Sequence, residues 1–470
     1  MITLLEAAAA DAADRTAVIT PEGASSYGEL LHDARRVAAG LQRRGLTRFA
    51  VAEPDAAWVI RLLAGAALAG AEPCQYQPDT DADVLRAETA ALKHDVLVTR
   101  RDDVGDASLQ VIRPEELLVE PLERDAEAGA GAGAGAEPPD RPQPLVIRTT
   151  GTTGTPKAAR HDWRVLGQTV EKVQPKPDQR WLLAYGPQQF AGIQILLHVL
   201  AGRATLVAPF PRQPKNGLDA ILSDGVTCVS ATPTYWRFLL AEARSRHVQL
   251  PGLQQVTLGG EASPADLLDD IRATFPLARV SQVYASTEFG SITSVNDGLP
   301  GISIGSLWSS LNPTSNVRAE NGELWVRAEA GMLGYADEVD GDTQSATAWR
   351  PTGDLIEIVG TRVLFRGRQS EIINVGGVKV HPLPVEERIL ALGSVEAARV
   401  FGRPSKLTGA IVAVEIVQAG GTEKTDTDKI RRDVKDAVAD LPRAWHPRSV
   451  TVVDALETRG GKTVRGTEYA

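Results

Sequence analysis

Cysteine is scarce in this 470-residue chain, with Cys74 and Cys228 its only two. Two thiols exclude a disulfide framework and a cysteine-based metal centre, and they suit a reducing cytoplasm. Basic charge is also in short supply: 50 Lys and Arg stand against 60 Asp and Glu, a formal net charge of -10. That balance argues against a grip on the phosphate backbone of nucleic acid, which needs a basic face, but leaves room for one local nucleotide cleft. Long apolar runs are missing as well. The stretch Ile193 to Leu200 is interrupted by Gln194 and His198, well short of the ~18 apolar residues of a membrane span. The opening segment MITLLEAAAADAADR lacks the basic start and apolar core of a secretory leader. The expectation is a soluble cytoplasmic protein that binds neither nucleic acid nor membrane.

The remaining composition, 43% hydrophobic and 23% charged, is that of a globular chain with a sizeable core. Its length suits about three compact units at ~150 residues each. Residues 26–45 read as one amphipathic helix: Ser26 and Glu29 have capping-box spacing, Leu30, Ala34, Val37, Ala38 and Leu41 share a face, and Gly45 ends it. Short apolar runs at Val96–Val98, Leu145–Ile147, Ala204–Val207, Val226–Ser230 and Val256–Leu258 read as strands. The intervening Thr234–Ala243 and Pro264–Thr274 read as helices. The pattern predicts an α/β fold, with doubly wound, mostly parallel sheets and sites at the carboxyl ends of strands. The Gly/Ala-rich insertion 125–144 reads as a surface loop or linker. Between 301 and 368 the texture turns to short β segments, Glu323–Val326, Leu355–Val359 and Val363–Phe365. A small α+β unit follows, with helices at Glu386–Leu392 and 428–439 and strands at Glu396–Val400 and Ala410–Val417.

The segment RTTGTTGTPKAAR, residues 148–160, follows one of those apolar runs. Its glycines allow close backbone approach to an anion, its threonines and amides donate to phosphate oxygens, and Lys157 adds charge. The spacing of Gly154 and Lys157 is not that of a Walker A loop. In order along the chain come VTLGGEASP at 256–264, QVYASTEFG at 282–290, GELWVRAEAGMLGY at 322–335, PTGDLIEI at 351–358, FRGRQSEIINVGGVKVHP at 365–382 and ETRGGKTVRG at 457–466. Each is weak alone, but together and in this order they resemble the ANL superfamily of adenylate-forming enzymes: acyl- and aryl-CoA synthetases, nonribosomal peptide adenylation domains and luciferases. The capped helix at 26–45 and LLAGAALAGAEPC at 62–74 fit more loosely, so the resemblance spans nearly the whole chain.

The resemblance implies a large adenylating domain over 1–369, a small mobile C-terminal domain over 370–470, and ATP, Mg²⁺ and a small-molecule acid as reactants. Thr149, Thr150, Gly151, Thr152, Thr153, Gly154 and Lys157 would face the β- and γ-phosphates. Glu288 would hold Mg²⁺ and Thr287 would contact the α-phosphate. Gly259, Gly260 and Glu261, with Tyr284, Ala285 and Ser286, would border the acid and adenine, Tyr284 lying against the base. Asp354, in a Thr-Gly-Asp turn, and Arg368 would hold the ribose, and Lys462 would bridge the acid oxygen and the α-phosphate. About a hinge at Ser370, rotation of the small domain would exchange Lys462 for the Asn374–Lys379 loop. There Gly376 and Gly377 would admit a pantetheine arm of coenzyme A or of a carrier protein.

Three departures qualify the substrate. Ala285 stands where the family usually has Gly, and Ser370 where it more often has Asp or Lys. YGPQQFAG at 185–192 places Gln188, Gln189 and Phe190 at the acid pocket, with neutral amides where histidines often stand and no Asp for an α-ammonium group. An aryl or otherwise unusual acid is the expectation, with Trp236 and Ile193 candidates for an apolar wall or for plain core, and His198 read as a core histidine. Two alternatives stay open: adenylation of an oxyanion such as nitrite for transfer to an amine, as in diazotase-like relatives, and a non-catalytic nucleotide-binding relative.

Overall fold

The computed structural model describes residues 1–121, 143–149, 157–310, 312–327, 331–336, 348–419, 426–459, 462–463 and 465. The insertion 125–144 falls outside these residues as far as 142, and the threonine-rich segment falls outside them over 150–156.

Two mostly parallel sheets form the large part of the molecule. An eight-stranded sheet has the parallel strands Arg180–Leu183, Thr205–Val207, Cys228–Ala231, Gln255–Gly259 and Arg279–Ser286 at its centre, with antiparallel Gly290–Val295 at one edge. A seven-stranded sheet is built on Arg48–Val51, Glu72–Gln75, Val96–Val98 and Pro144–Arg148. The largest core cluster joins the facing sides of both: Val18, Trp181 and Leu206 come from one, Leu145 and Ile147 from the other. Helices carrying Leu5, Leu30, Leu63 and Leu196 fill the space between. The helix Tyr27–Arg43 starts on the expected capping box, in which the Glu29 amide donates to Ser26 Oγ at 3.2 Å and the Ser26 amide donates to Glu29 Oε2 at 2.7 Å. Gly45, at φ 63°, closes it in the left-handed region.

Strand positions follow the apolar runs to within a few residues, and two differences have plain causes. The first C-terminal helix spans Pro382–Leu390 and not 386–392, because Pro382 occupies its first turn, where a missing N–H costs nothing. The Thr-Gly-Asp segment is not a free turn. It lies inside the strand Arg350–Val359, where Gly353 at φ 76° makes a bulge and lets pairing resume. That strand belongs to a five-stranded antiparallel sheet with Arg362–Arg368 as its neighbour.

The C-terminal sheet is dominated by the long antiparallel pair Val395–Ser405 and Gly409–Gln418, with Ser449–Val452 parallel on its flank. Helices Pro382–Leu390 and Thr427–Ala437 bury Val385, Ile389, Ile430 and Val434 against it. Cys74 and Cys228 are free and buried. Among the described residues no helix is long and apolar enough to cross a membrane.

The helices Tyr27–Arg43 and Ala56–Ala69 meet at Gly65, where a Cβ would lie 2.5 Å from Val37 Cγ1 and 2.9 Å from the Ala34 carbonyl. The contact leaves no space for a methyl group. Gly65→Ala is expected to lower stability by ~1–3 kcal/mol, the usual cost of overpacking, read as a reduced denaturation midpoint at an unchanged denaturant slope.

Candidate active site

The bulge at Gly353 places Asp354 directly across the antiparallel pair from Arg368. Thr352 secures the bulge by donating from its hydroxyl to the Leu324 carbonyl at 2.7 Å and accepting from the Asp354 amide at 3.1 Å. Arg368 Nε donates to Asp354 Oδ1 at 3.0 Å, and the Tyr284 hydroxyl donates to Asp354 Oδ2 at 2.5 Å. The Tyr284 ring stacks on Phe365 with centroids 5.0 Å apart and planes 29° off parallel. Burial and the Asp354 carboxylate push the Tyr284 phenol well above its ordinary value, so it stays a neutral donor. Burial works against the Arg368 charge, but Asp354, Glu371 and Glu288 more than offset it and raise its pKa. This cluster joins the edge of the eight-stranded sheet to the five-stranded one.

Lys462 comes to the same place from the far end of the chain. Gly260, at φ 85°, passes so close to it that a Cβ there would sit 2.8 Å from Lys462 Cε and 3.2 Å from Nζ. Burial, and then the Arg368 guanidinium, lower the Lys462 pKa, against the opposing fields of Glu261, Asp354 and Glu288. The lysine therefore lies among the charges of the large domain.

Glu261 explains how the tail is held. Its Oε2 accepts from the Thr234 amide at 3.0 Å, in the first turn of the helix Pro233–Ser245, and its Oε1 accepts from the Thr463 amide at 3.2 Å. The Thr234 and Thr463 hydroxyls lie 3.4 Å apart. From the other side, Arg465 Nε donates to both oxygens of the buried Glu386, at 2.8 and 2.9 Å. One carboxylate from each part of the molecule thus grips the strand that carries Lys462.

Ala285, Ser286, Thr287 and Glu288 line a cavity of about 2150 Å³ between these elements, as do Gly259, Gln189 and Phe190. Thr149 and Lys157 line it too. They are joined by a Thr149 amide bond to the Lys157 carbonyl at 2.7 Å, and the Lys157 ammonium sits 4.9 Å from the Tyr335 ring centre. Thr150, Gly151, Thr152, Thr153 and Gly154 lie outside the described residues. Among the described residues no group of three or more His, Cys, Asp or Glu side chains is placed to hold a metal ion without other ligands. A Mg²⁺ ion at Glu288 would draw its other ligands from phosphate oxygens and water, which suits its octahedral, water-rich coordination.

Some expected positions are not brought to the cavity. Gln188 is absent from its lining and its amide contacts the Gln77 side chain. Gln189 does line it, though its Oε1 is engaged by the Gly186 amide at 2.8 Å. Trp236 is fully buried against Phe275, and Ile193 is core. His198 packs edge-on against Trp181 at 4.7 Å, with its pKa pushed down to about 4 by burial, then by Lys176, yet it also borders the cavity. Ser370 is exposed at the cavity rim in the short turn Gln369–Glu371. Gly376 and Gly377, expected at the site only after rotation of the small domain, form the two-residue turn of a hairpin, at φ 58° and 88°, and do not line the cavity while Lys462 occupies it. The joining role of Glu261, Thr234 and Thr463 was not legible in the sequence, where the resemblance implies for Glu261 only a place bordering the acid and adenine.

A two-part molecule with a lysine from its small domain inserted beside a Tyr–Asp–Arg cluster of the large one defines an adenylate-forming architecture. Residues 5–336 match the family model described as AMP-binding enzyme, and residues 384–462 match that described as AMP-binding enzyme C-terminal domain. The chain belongs to the AMP-binding enzyme family, within the ANL superfamily of adenylate-forming enzymes. It is 25% identical over 353 residues to a medium/long-chain-fatty-acid–acyl-carrier-protein ligase of Mycobacterium tuberculosis, a match spanning 68% of this chain and 65% of that protein. It is 27% identical over 355 residues to a feruloyl-CoA synthase of Amycolatopsis, spanning 70% and 71% of the two chains. Among solved structures, a benzoate CoA ligase from Burkholderia xenovorans superposes with a TM-score of 0.78 at 18% identity, covering 98% of both chains. An anthranilate CoA ligase in complex with anthranoyl-AMP superposes with the same TM-score at 19% identity, covering 98% of this chain and 95% of that one. These likenesses confirm the fold.

Glu261→Ala removes two charge-assisted acceptor bonds, each of ~1.5–3 kcal/mol, part of which water restores. Acid-dependent pyrophosphate exchange is expected to fall about tenfold or more. Transfer from a supplied acyl-adenylate, measured on the same protein, should fall much less.

Proposed function

We propose that the chain is an ATP-dependent acid ligase. It joins a carboxylate to the α-phosphate of ATP, releases pyrophosphate, and passes the activated acid to a thiol of coenzyme A or of a phosphopantetheinyl carrier protein. The observation that carries this reading is the convergence of Lys462 with Asp354, Arg368 and Glu288 on one cavity. A nucleotide-binding module has no use for a lysine delivered from a separate sheet. An enzyme that must bring two anions together does.

In the first half-reaction a carboxylate oxygen attacks the α-phosphorus, and the bond to pyrophosphate breaks. Charge grows on the phosphate oxygens and on the leaving group, so the site needs cations and oriented donors more than a proton-transfer base. Lys462, a compact point charge, meets those oxygens. Asp354 is held ready by Arg368 and Tyr284 to accept from ribose hydroxyls. Glu288 would hold Mg²⁺, which neutralises phosphate charge when bound, and Thr149 and Lys157 stand where the β- and γ-phosphates would lie. The second half-reaction needs Lys462 withdrawn. The few bonds joining its strand to the large part, at Glu261 and Thr234, suit a contact that must break in each turnover. The printed activities of the relatives, ligation to coenzyme A and to acyl carrier protein, support a thiol acceptor.

Lys462→Ala is expected to reduce acid-dependent pyrophosphate exchange by at least a hundredfold while changing ATP affinity by only a few-fold. Equal losses in both would contradict the assigned role. A panel of aryl, fatty and amino acids with nitrite included separates the alternatives. Exchange confined to nitrite would replace the carboxylate reading, and nucleotide binding without turnover would overturn it. The pH dependence gives a further check. Because the Lys462 pKa is lowered in the free enzyme, its charge is lost as pH rises through a value below the ordinary 10.5. The kcat/KM for ATP should therefore decline on the alkaline side below pH 10.5, and in Lys462→Arg that decline should move to higher pH.

A further inference from the structure

The cavity does not end at the nucleotide side. Strand register arranges the eight-stranded sheet into rows. Gly259 pairs with Val283 near the carboxyl ends, and Ser230, Thr257 and Ser281 form the next row. Cys228, Gln255 and Arg279 form the one beyond. Because side chains alternate along a strand, these rows share one face, and the third lies ~13 Å from the first at ~3.3 Å per residue. The helix Phe190–Gly202 packs on the neighbouring strands Arg180–Leu183 and Thr205–Val207, and its Phe190, Gln194 and His198, at four-residue spacing along one stripe, line the same cavity. Its near end is fixed where the Tyr185 hydroxyl donates to the Gly259 carbonyl at 3.0 Å. Its far end is fixed by His198 on Trp181. A channel therefore runs from the reacting centre along the sheet.

The floor of that channel is polar. Gln255 Nε2 donates to Thr257 Oγ1 at 3.1 Å and to Ser281 Oγ at 3.4 Å. On the roof, Gln194 Oε1 accepts from the Thr169 hydroxyl at 2.5 Å, while its amide nitrogen is buried with no partner. At the far end the lining becomes cationic. Arg279 is exposed at the row's end, and Lys176, whose amide donates to the Gly202 carbonyl at 2.7 Å, lies close enough for its charge to act on both His198 and Cys228. Opposite charge at that depth would be attracted, and a second ammonium repelled.

We infer that the acid taken by this site is elongated, runs along the polar Thr257–Ser281 row, and ends in a second anionic group between Lys176 and Arg279. This inference rests on the ligase reading above, because it names the substrate class of the same site. It differs from an aryl or fatty acid in requiring polarity at both ends.

The test is acid-dependent pyrophosphate exchange by the full chain with straight-chain α,ω-dicarboxylic acids, the matching monocarboxylic acids and the matching ω-amino acids. The best diacid is expected to exceed its monoacid in kcat/KM by at least tenfold, with the ω-amino acid poorest. In a Lys176→Met/Arg279→Met double variant, both changes being on exposed side chains, that ratio should fall below threefold through a higher KM for the diacid. Monoacids equal to or better than diacids would overturn the inference while leaving the ligase reading intact, and so would a ratio unchanged in the double variant. Failure of every carboxylate to support exchange would overturn both.

Discussion

The arrangement depends on one constraint: Lys462, near the end of the chain, must be held beside Arg368, Asp354 and Glu288, which come from earlier in the chain. Glu261 meets it with two hydrogen bonds, one to the start of a large-domain helix and one to the backbone beside Lys462. The bond to Thr463 spans the two parts of the molecule and is joined there by a single threonine contact. The buried Arg465–Glu386 pair is different, since it lies wholly within the small unit and keeps the lysine strand attached to its own sheet. The two parts also meet where Arg366 pairs with Glu387 at 3.6 Å and where Phe238 packs against Ala397, Val417 and Leu456.

The nucleotide side follows a similar economy. A single bulge at Gly353 turns Asp354 toward Arg368 and Tyr284, so three side chains from two sheets share one carboxylate. Phe365 stacks on one face of the Tyr284 ring and steadies it beside Asp354. Burial and the Arg368 guanidinium lower the Lys462 pKa, whereas Asp354, Glu371 and Glu288 keep Arg368 charged against its own burial. Such balance suits a site that must accept a highly charged nucleotide and then release it.

Much of this was legible beforehand, for identifiable reasons. The capping box at Ser26 and Glu29 announced its helix because it is a local, four-residue interaction. Short apolar runs announced strands because buried parallel strands have few polar positions. The Thr-Gly-Asp segment misled, since a glycine at φ 76° looks the same in sequence whether it makes a turn or a bulge. Gln188 misled because adjacent residues in a loop diverge: Gln189 borders the cavity and Gln188 turns to Gln77.

By itself, the sequence determined what local chemistry can encode: the α/β class, the order of motifs, and the candidates Lys157, Glu288, Asp354, Arg368 and Lys462. Tertiary structure alone decided which of them meet, because contact between Glu261 and Thr463, or between Tyr284 and Asp354, is set by sheet order and register and not by spacing along the chain. It also decided what lines the cavity. Ser230, Thr257, Gln255 and Ser281 are unremarked polar residues on three separate strands until pairing brings them into adjoining rows along it.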